Sequence, residues 1–331
     1  MDYSMFREVS PIAQLIKLQD YISRYEWDTF RYPSQYIRLK RDNWKKLFSI
    51  WENPELLRQQ EVEAETHVME PKVQPAMKCL SKLMAKWKRP KEEKVEVELG
   101  QADRDYADLP ETEAELKQFF LDKLFNFQMN WATSTVTETS FVNSDYYRDS
   151  LLSYLLQRFP DTYLIMYLPI FAIKKVPVET EIMLISPIGI EIIHFLEKSP
   201  DVIIMAGDER TWTLENGNKH TKILSPLIAL KRSEKLVNSI LAKNKIEFPI
   251  KKTVLSRTNS IVYVTEPYHT KIIGQQDYPD WFREKRRLTS PLKSMQLKAA
   301  EALLKNCQTT SIKRPEWDSD GDKSMFRNVG K

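Results

Sequence analysis

Residues 180–198 have the sequence TEIMLISPIGIEIIHFLEK, in which two apolar runs of strand length flank the tripeptide Pro187-Ile188-Gly189. A Pro-x-Gly tripeptide between two such runs is a hairpin signal. We therefore expect 180–186 and 189–197 to pair as antiparallel strands. Further along, Ser225 followed by Pro226 is typical of a helix start, and this predicts a helix over 225–243 that crosses the sheet.

The residues around this hairpin predict a compact α/β (α+β) domain over 111–307, with a central mixed sheet flanked by helices. Pro169 lies inside the apolar run 162–173, so this run is expected to be an edge strand or to break there. The other expected helices are 111–131, 146–159, 277–287 and 290–307, and the other expected strands lie within 202–207, 210–217, 251–258 and 260–266.

The composition is that of a globular chain and excludes several classes of protein. Of 331 residues, 42% are hydrophobic and 29% charged, and 50 Lys and Arg against 46 Asp and Glu leave a net charge of +4. No apolar run approaches the ~20 residues of a membrane span, and neither GxGxxG nor GxxxxGK[ST] occurs. Two cysteines and a start without signal-peptide character predict a cytoplasmic protein without a disulfide framework.

The remaining segments are expected to differ from this domain. Residues 1–54 form an aromatic and basic segment, with helical spacing over 11–27, a turn at 31–34 and a helix at 41–53. Residues 55–110 are predicted to be a charged, partly disordered connector, and residues 308–331 a flexible polar tail. The aromatic N-terminal segment is a candidate docking site for a protein partner.

The order of these elements and the frame of the hairpin resemble the nuclease-related domain (NERD) family, whose members share the PD-(D/E)xK core of restriction-type nucleases. The resemblance extends over about 145–265 and rests on the Pro187 turn, Gly189-Ile190, Trp212 and the Ser225-Pro226 helix start. It implies a restriction-endonuclease-like core and a site for metal-dependent phosphodiester cleavage.

The polar positions of the family motif differ in this chain. Glu181 stands at the place of the metal-binding Asp, while His194 and Leu196 stand at the places of Glu and Lys. Ala229 replaces the Gln of the following helix. The resemblance thus leaves Glu181 and His194 as metal-ligand candidates for Mg²⁺ or Mn²⁺, and Leu196 offers neither a charge nor a donor. We expect a degenerate catalytic site.

Other interpretations of these residues stay open. His194 within an apolar strand is also what a hydrogen-bonded core residue looks like, and Glu181 can be a solvated strand end. A register shifted by three residues would put Glu191 and Ile193 at the Glu and Lys positions, but it would spoil the fit at Gly189. Strand alternation places Glu191 on the face opposite His194.

Basic residues accompany aromatic ones in two places and are candidates for nucleic-acid contact, since Lys and Arg neutralise phosphates and exposed Trp stacks on bases. Alternatively, the charges form the solvated side of amphipathic helices and the tryptophans belong to the core. The first cluster comprises Arg38, Lys40, Arg41, Lys45 and Lys46 beside Trp44, and the second comprises Arg283, Lys285, Arg286 and Arg287 beside Trp281.

Three functions follow from these patterns. The first is a nucleic-acid-binding protein, for DNA or RNA, that keeps a nuclease fold and has lost its catalysis. The second is a scaffold protein that reuses the fold and binds a protein partner. The third is a divergent metal-dependent nuclease. A salt titration of nucleic-acid binding separates the first from the second, because phosphate contacts weaken steeply with salt.

Overall fold

A computed structural model describes residues 12–53, 109–174 and 176–314. The described residues fall into two compact units, one within 12–40 and 121–314 and the other within 41–53 and 109–120. The predicted connector 55–110 lies outside the described residues except for 109 and 110. Of the predicted polar tail, residues 308–314 are described.

The helices and strands follow one another in a mixed order. The helices are α1 (Tyr32–Glu52), α2 (Glu113–Thr133), α3 (Ser150–Arg158), α4 (Pro226–Lys243), α5 (Tyr278–Arg286) and α6 (Ser294–Leu304). The strands are β1 (Gln14–Leu18), β2 (Glu138–Thr139), β3 (Leu164–Tyr167), β4 (Ile170–Ile173), β5 (Val176–Glu179), β6 (Ile182–Ser186), β7 (Gly189–Phe195), β8 (Ile203–Met205), β9 (Thr211–Asn216), β10 (Lys219–Leu224), β11 (Ile250–Leu255), β12 (Ile261–Val262), β13 (Thr270–Ile273) and β14 (Ile312–Lys313). No described helix combines the length and apolar character needed to cross a lipid bilayer.

Six strands form the central sheet in the order β1-β3-β6-β7-β11-β13. Strand β6 is antiparallel to both of its neighbours, and the other pairings are parallel. This confirms the expected mixed sheet and the α/β class. Three smaller sheets accompany it: β10-β9-β8-β12, β14-β2 and β4-β5.

The predicted hairpin is confirmed as β6 and β7, which pair antiparallel from Ser186 opposite Gly189 to Ile182 opposite Ile193. Glycine is required at the turn because a Cβ at position 189 would lie 2.8 Å from the carbonyl oxygen of Pro249. The predicted helix start is confirmed as well, since the Ser225 hydroxyl accepts a hydrogen bond from the backbone N–H of Leu227.

Helices cover both faces of the central sheet. On one face, β-strand side chains such as Ile165, Leu184 and Ile193 share a buried cluster with Leu155 of α3 and Trp281 of α5. We call this the α3 face. On the opposite face, α4 packs against β7 and β11, and α6 packs against β6 and α4. Residues that alternate along β7 therefore meet two different sets of helices.

Two expectations for the N-terminal segment are wrong. The segment 11–27 was expected to be helical, but Gln14–Leu18 is the fully buried strand β1, paired parallel with β3. The apolar residues of 12–18 come in short runs separated by Gln14 and Lys17, and this spacing does not distinguish a short buried strand from a helix. The expected turn at 31–34 is the first turn of α1, where Pro33 fits because an N-terminal proline removes no intrahelical hydrogen bond.

Other expectations in the main domain are confirmed or extended. The run 162–173 breaks into β3 and β4 at Leu168, whose φ is +47°, just before Pro169. Helices at 111–131, 277–287 and 290–307 correspond to α2, α5 and α6. The expected helix at 146–159 is a 3-10 turn followed by the shorter α3. Strands β2, β5, β10 and β13 are additional to those predicted for this domain.

Candidate functional site

The hairpin brings Glu181 and His194 together. The pair Ile182 and Ile193 is in register, and Glu181 and His194 occupy the next positions along the two strands. His194 Nδ1 lies 3.1 Å from Glu181 Oε2, within ion-pair distance. The imidazole nitrogen does not have the geometry of a hydrogen bond to this oxygen and makes none elsewhere among the described residues. The two residues predicted as a ligand pair are therefore neighbours.

The third position of the family motif adds no chemistry. Leu196 is buried, and its backbone N–H donates to the carbonyl oxygen of Leu255 at 2.9 Å. Within residues 12–53, 109–174 and 176–314, no three His, Cys, Asp or Glu side chains come close enough to hold a metal ion together. Glu181 and His194 supply one carboxylate and one imidazole, which does not match the oxygen-rich coordination that Mg²⁺ requires.

Glu191 on the α3 face is the most elaborately bound carboxylate of the hairpin. Its Oε1 accepts hydrogen bonds from the Thr253 hydroxyl at 2.6 Å and from the Trp281 indole N–H at 3.0 Å. Its Oε2 lies 2.5 Å from the ammonium of Lys285. Glu191 and Thr253 are buried, so three elements, β7, β11 and α5, meet at one buried carboxylate.

The sequence pattern places Glu191 at a site position only with a shifted register, and it does not predict this cluster. The local sequence shows only that Glu191 is a charged residue within an apolar strand. A charged residue is seldom fully buried without a partner, so this position indicates that a partner exists but not which residue it is. Its partner Lys285 lies 94 positions away on α5, and nothing in the local sequence connects the two residues.

The second basic cluster divides into internal and external members. Lys285 is internal, paired with Glu191 and lying over the Trp281 ring at 5.5 Å. Arg286 lies over the Phe282 ring at 5.6 Å. Trp281 itself is buried and so cannot stack on a base, which confirms the core interpretation for this tryptophan. Arg283, Arg286 and Arg287 are exposed, and Arg283 pairs with Asp280 at 2.8 Å.

A cleft of about 220 Å³ opens beside Glu191, between the hairpin turn and the end of α5. Charged and polar side chains line one part of it, and apolar side chains line the rest. The charged residues are Glu191, Lys251, Glu284, Lys285 and Arg287, and the uncharged residues are Tyr163, Leu184, Ser186, Ile188, Gly189, Ile190, Pro249 and Leu288. Lys251 and Arg287 are exposed and form no ion pair among the described residues.

Tyr163 is a neutral donor that lines this cleft. Burial, and secondarily the charges of Glu191 and Glu284, raise the pKa of its hydroxyl. The hydroxyl donates to the backbone carbonyl of Lys285 at 3.2 Å, which fixes the end of α5 against β3. This hydrogen bond therefore joins two residues that line the cleft, Tyr163 and Lys285.

The first basic cluster does not form one exposed surface. Lys40, predicted as a nucleic-acid contact, is 5% exposed and its ammonium lies 2.6 Å from Asp161, so it is a structural ion pair. Arg38 is exposed. In the second unit, Arg41 is exposed beside Asp42 at 3.7 Å. Trp44 is buried against Phe120, with ring centroids 5.2 Å apart, which confirms that this tryptophan is core.

Comparison with known proteins gives one informative likeness. A protein of Geobacillus stearothermophilus named RNA 2′,3′-cyclic phosphodiesterase is 32% identical to this chain over 120 residues. The match covers 35% of this chain and 36% of the relative, so the chain spans about a third of that protein's length. No family model matches the chain. No solved structure matches it either.

Proposed function

We propose that the protein binds RNA through the cleft beside the β6–β7 turn, on a nuclease-like core that resembles the NERD family and lacks its catalytic groups. The observation that carries the proposal is that Lys251 and Arg287, two exposed cations, line the same cleft. Cations that have no ion-pair partner within the protein are free to neutralise phosphates, and this neutralisation releases counterions from the nucleic acid.

Two further observations support this proposal. The apolar part of the cleft, including Leu184, Ile188 and Leu288, offers a surface for a sugar or a base beside the cations. The partial likeness to a protein named for RNA 2′,3′-cyclic phosphate chemistry favours RNA over other polyanions. The absence of a lysine at Leu196 favours binding without cleavage, since this residue cannot supply a cationic group.

The test is the salt dependence of RNA binding by the full chain. Fluorescence anisotropy with a labelled single-stranded RNA bearing a 5′-phosphate is measured across a range of salt concentrations. Affinity is expected to fall linearly on a double-logarithmic plot, with a slope of about −0.7 for each phosphate neutralised. Arg287→Ala is expected to weaken binding and to reduce the slope by about one phosphate contact.

Arg232→Ala is the matched control, because Arg232 is an exposed arginine on α4, the helix that packs on the opposite face of the central sheet. It removes the same charge from the chain and is expected to leave the slope unchanged. Equal losses in the two variants would show that net charge, and not the cleft, determines binding. A protein that binds no RNA at low salt would refute the proposed function.

A further inference from the structure

One of the cations that line the cleft, Lys285, is already paired with a carboxylate of the protein. The Lys285 ammonium and the Glu191 carboxylate are 2.5 Å apart, with 13% and 9% of their side chains exposed. The other oxygen of Glu191 is held by Thr253 and Trp281, so the carboxylate is fixed in place. The charge of Lys285 is therefore offset by Glu191, and an incoming anion would be bound mainly by the other cations of the cleft.

The charge balance of the cleft limits what it can hold. Three cations (Lys251, Lys285 and Arg287) and two carboxylates (Glu191 and Glu284) line it, which leaves one net positive charge. The continuous backbone of a bound strand needs a series of cations along its path. The cleft instead has only two exposed cations without an ion pair among the described residues, Lys251 and Arg287, in its lining.

The small volume of the cleft also argues against binding of a continuous strand. Its volume of about 220 Å³ is below the ~300–1,000 Å³ of pockets that enclose whole drug-sized ligands. It has room for a phosphate and part of its sugar, with Leu184 and Leu288 as apolar walls. It does not have room for several consecutive nucleotides.

We infer that the cleft binds a terminal phosphate monoester at the end of a single-stranded nucleic acid, with Lys251 and Arg287 as its two contacts. A phosphate monoester has a charge of about −1.5 to −2 and three free oxygens, so it can engage both cations at once. An internal phosphodiester has a single charge and two free oxygens. This inference rests on the proposed function and specifies its ligand.

The experiment compares three RNA octamers of one sequence, bearing a 5′-phosphate, a 3′-phosphate or hydroxyls at both ends, by anisotropy with the full chain. At least one phosphorylated octamer is expected to bind about tenfold tighter than the hydroxyl octamer, which is the effect of one added charge-assisted contact. The two phosphorylated octamers identify the end that enters the cleft. Arg287→Ala and Lys251→Ala are each expected to abolish the difference, and Arg232→Ala to preserve it.

Equal binding of all three octamers, with a salt slope that still depends on Arg287, would overturn the terminal-phosphate inference and leave the proposed function intact. A preference that survives both cleft substitutions would also overturn it, because the phosphate would then bind elsewhere. Failure of every octamer to bind would refute the proposed function itself.

Discussion

Replacing Glu191 with alanine removes the carboxylate that Thr253, Trp281 and Lys285 share. Breaking a buried ion pair by deleting one partner costs about 3–5 kcal/mol, and each buried donor left unsatisfied costs about 1–3 kcal/mol. Because Lys285 keeps 13% of its side chain exposed, its ammonium can turn partly toward water. We therefore expect Glu191→Ala to lower the free energy of unfolding by about 4 kcal/mol.

Urea unfolding at neutral pH, followed by tryptophan fluorescence, measures this loss as a shift of the midpoint at constant slope. The matched control is Glu301→Ala, which breaks the solvent-exposed pair with Lys305 and is expected to cost at most about 0.5 kcal/mol. The double variant Glu191→Gln, Lys285→Met keeps an acceptor for both hydrogen bonds and is expected to cost less than Glu191→Ala. A Glu191→Ala midpoint equal to that of Glu301→Ala would refute the reasoning.

Three further predictions concern the same sheet. Burial raises the pKa of Glu197, but its hydrogen bonds and ion pair with Arg257 outweigh this and lower it below the ordinary value of 4.5. The ionised pair therefore stabilises the fold above about pH 4.5, and this stabilisation is lost as the pH falls and Glu197 is protonated. In Glu197→Gln, the free energy of unfolding is expected to fall less steeply with decreasing pH than in the unmodified protein. Gly189→Ala is expected to destabilise by about 1–3 kcal/mol through the clash with Pro249, measured as a lower urea midpoint. RNA and DNA are expected to stay intact with Mg²⁺, Mn²⁺ or Zn²⁺ on gels, and cleavage that Glu181→Ala abolishes would instead establish an active nuclease.

The parts of the fold that sequence predicts are those fixed by local chemistry. The β6–β7 turn requires residues that end one strand and allow a close approach at Gly189, and the start of α4 requires a hydroxyl cap followed by proline. Both signals lie within a few residues of the structure that they determine. For the same reason the hairpin register, and with it the contact of Glu181 with His194, follows from the sequence.

Other features depend on partners that are distant along the chain. Strand β1 contains Lys17, which is buried because its ammonium reaches Glu26 and Thr309. No periodicity within 11–27 indicates this arrangement. The Glu191 cluster is a similar case, because its donors come from β11 and α5 and the packing of α5 on the sheet creates it. The cleft therefore depends on packing between distant segments, which no local sequence pattern indicates.

The most direct test of RNA binding at the cleft is photocrosslinking. A single-stranded RNA with a terminal phosphate and 4-thiouridine beside it is irradiated with the full chain, and crosslinked peptides are identified by mass spectrometry. The account predicts crosslinks within 184–191 and 284–288, the segments that line the cleft, and their loss in Arg287→Ala but not in Arg232→Ala. Crosslinks confined to other segments, or equally strong in both variants, would contradict it.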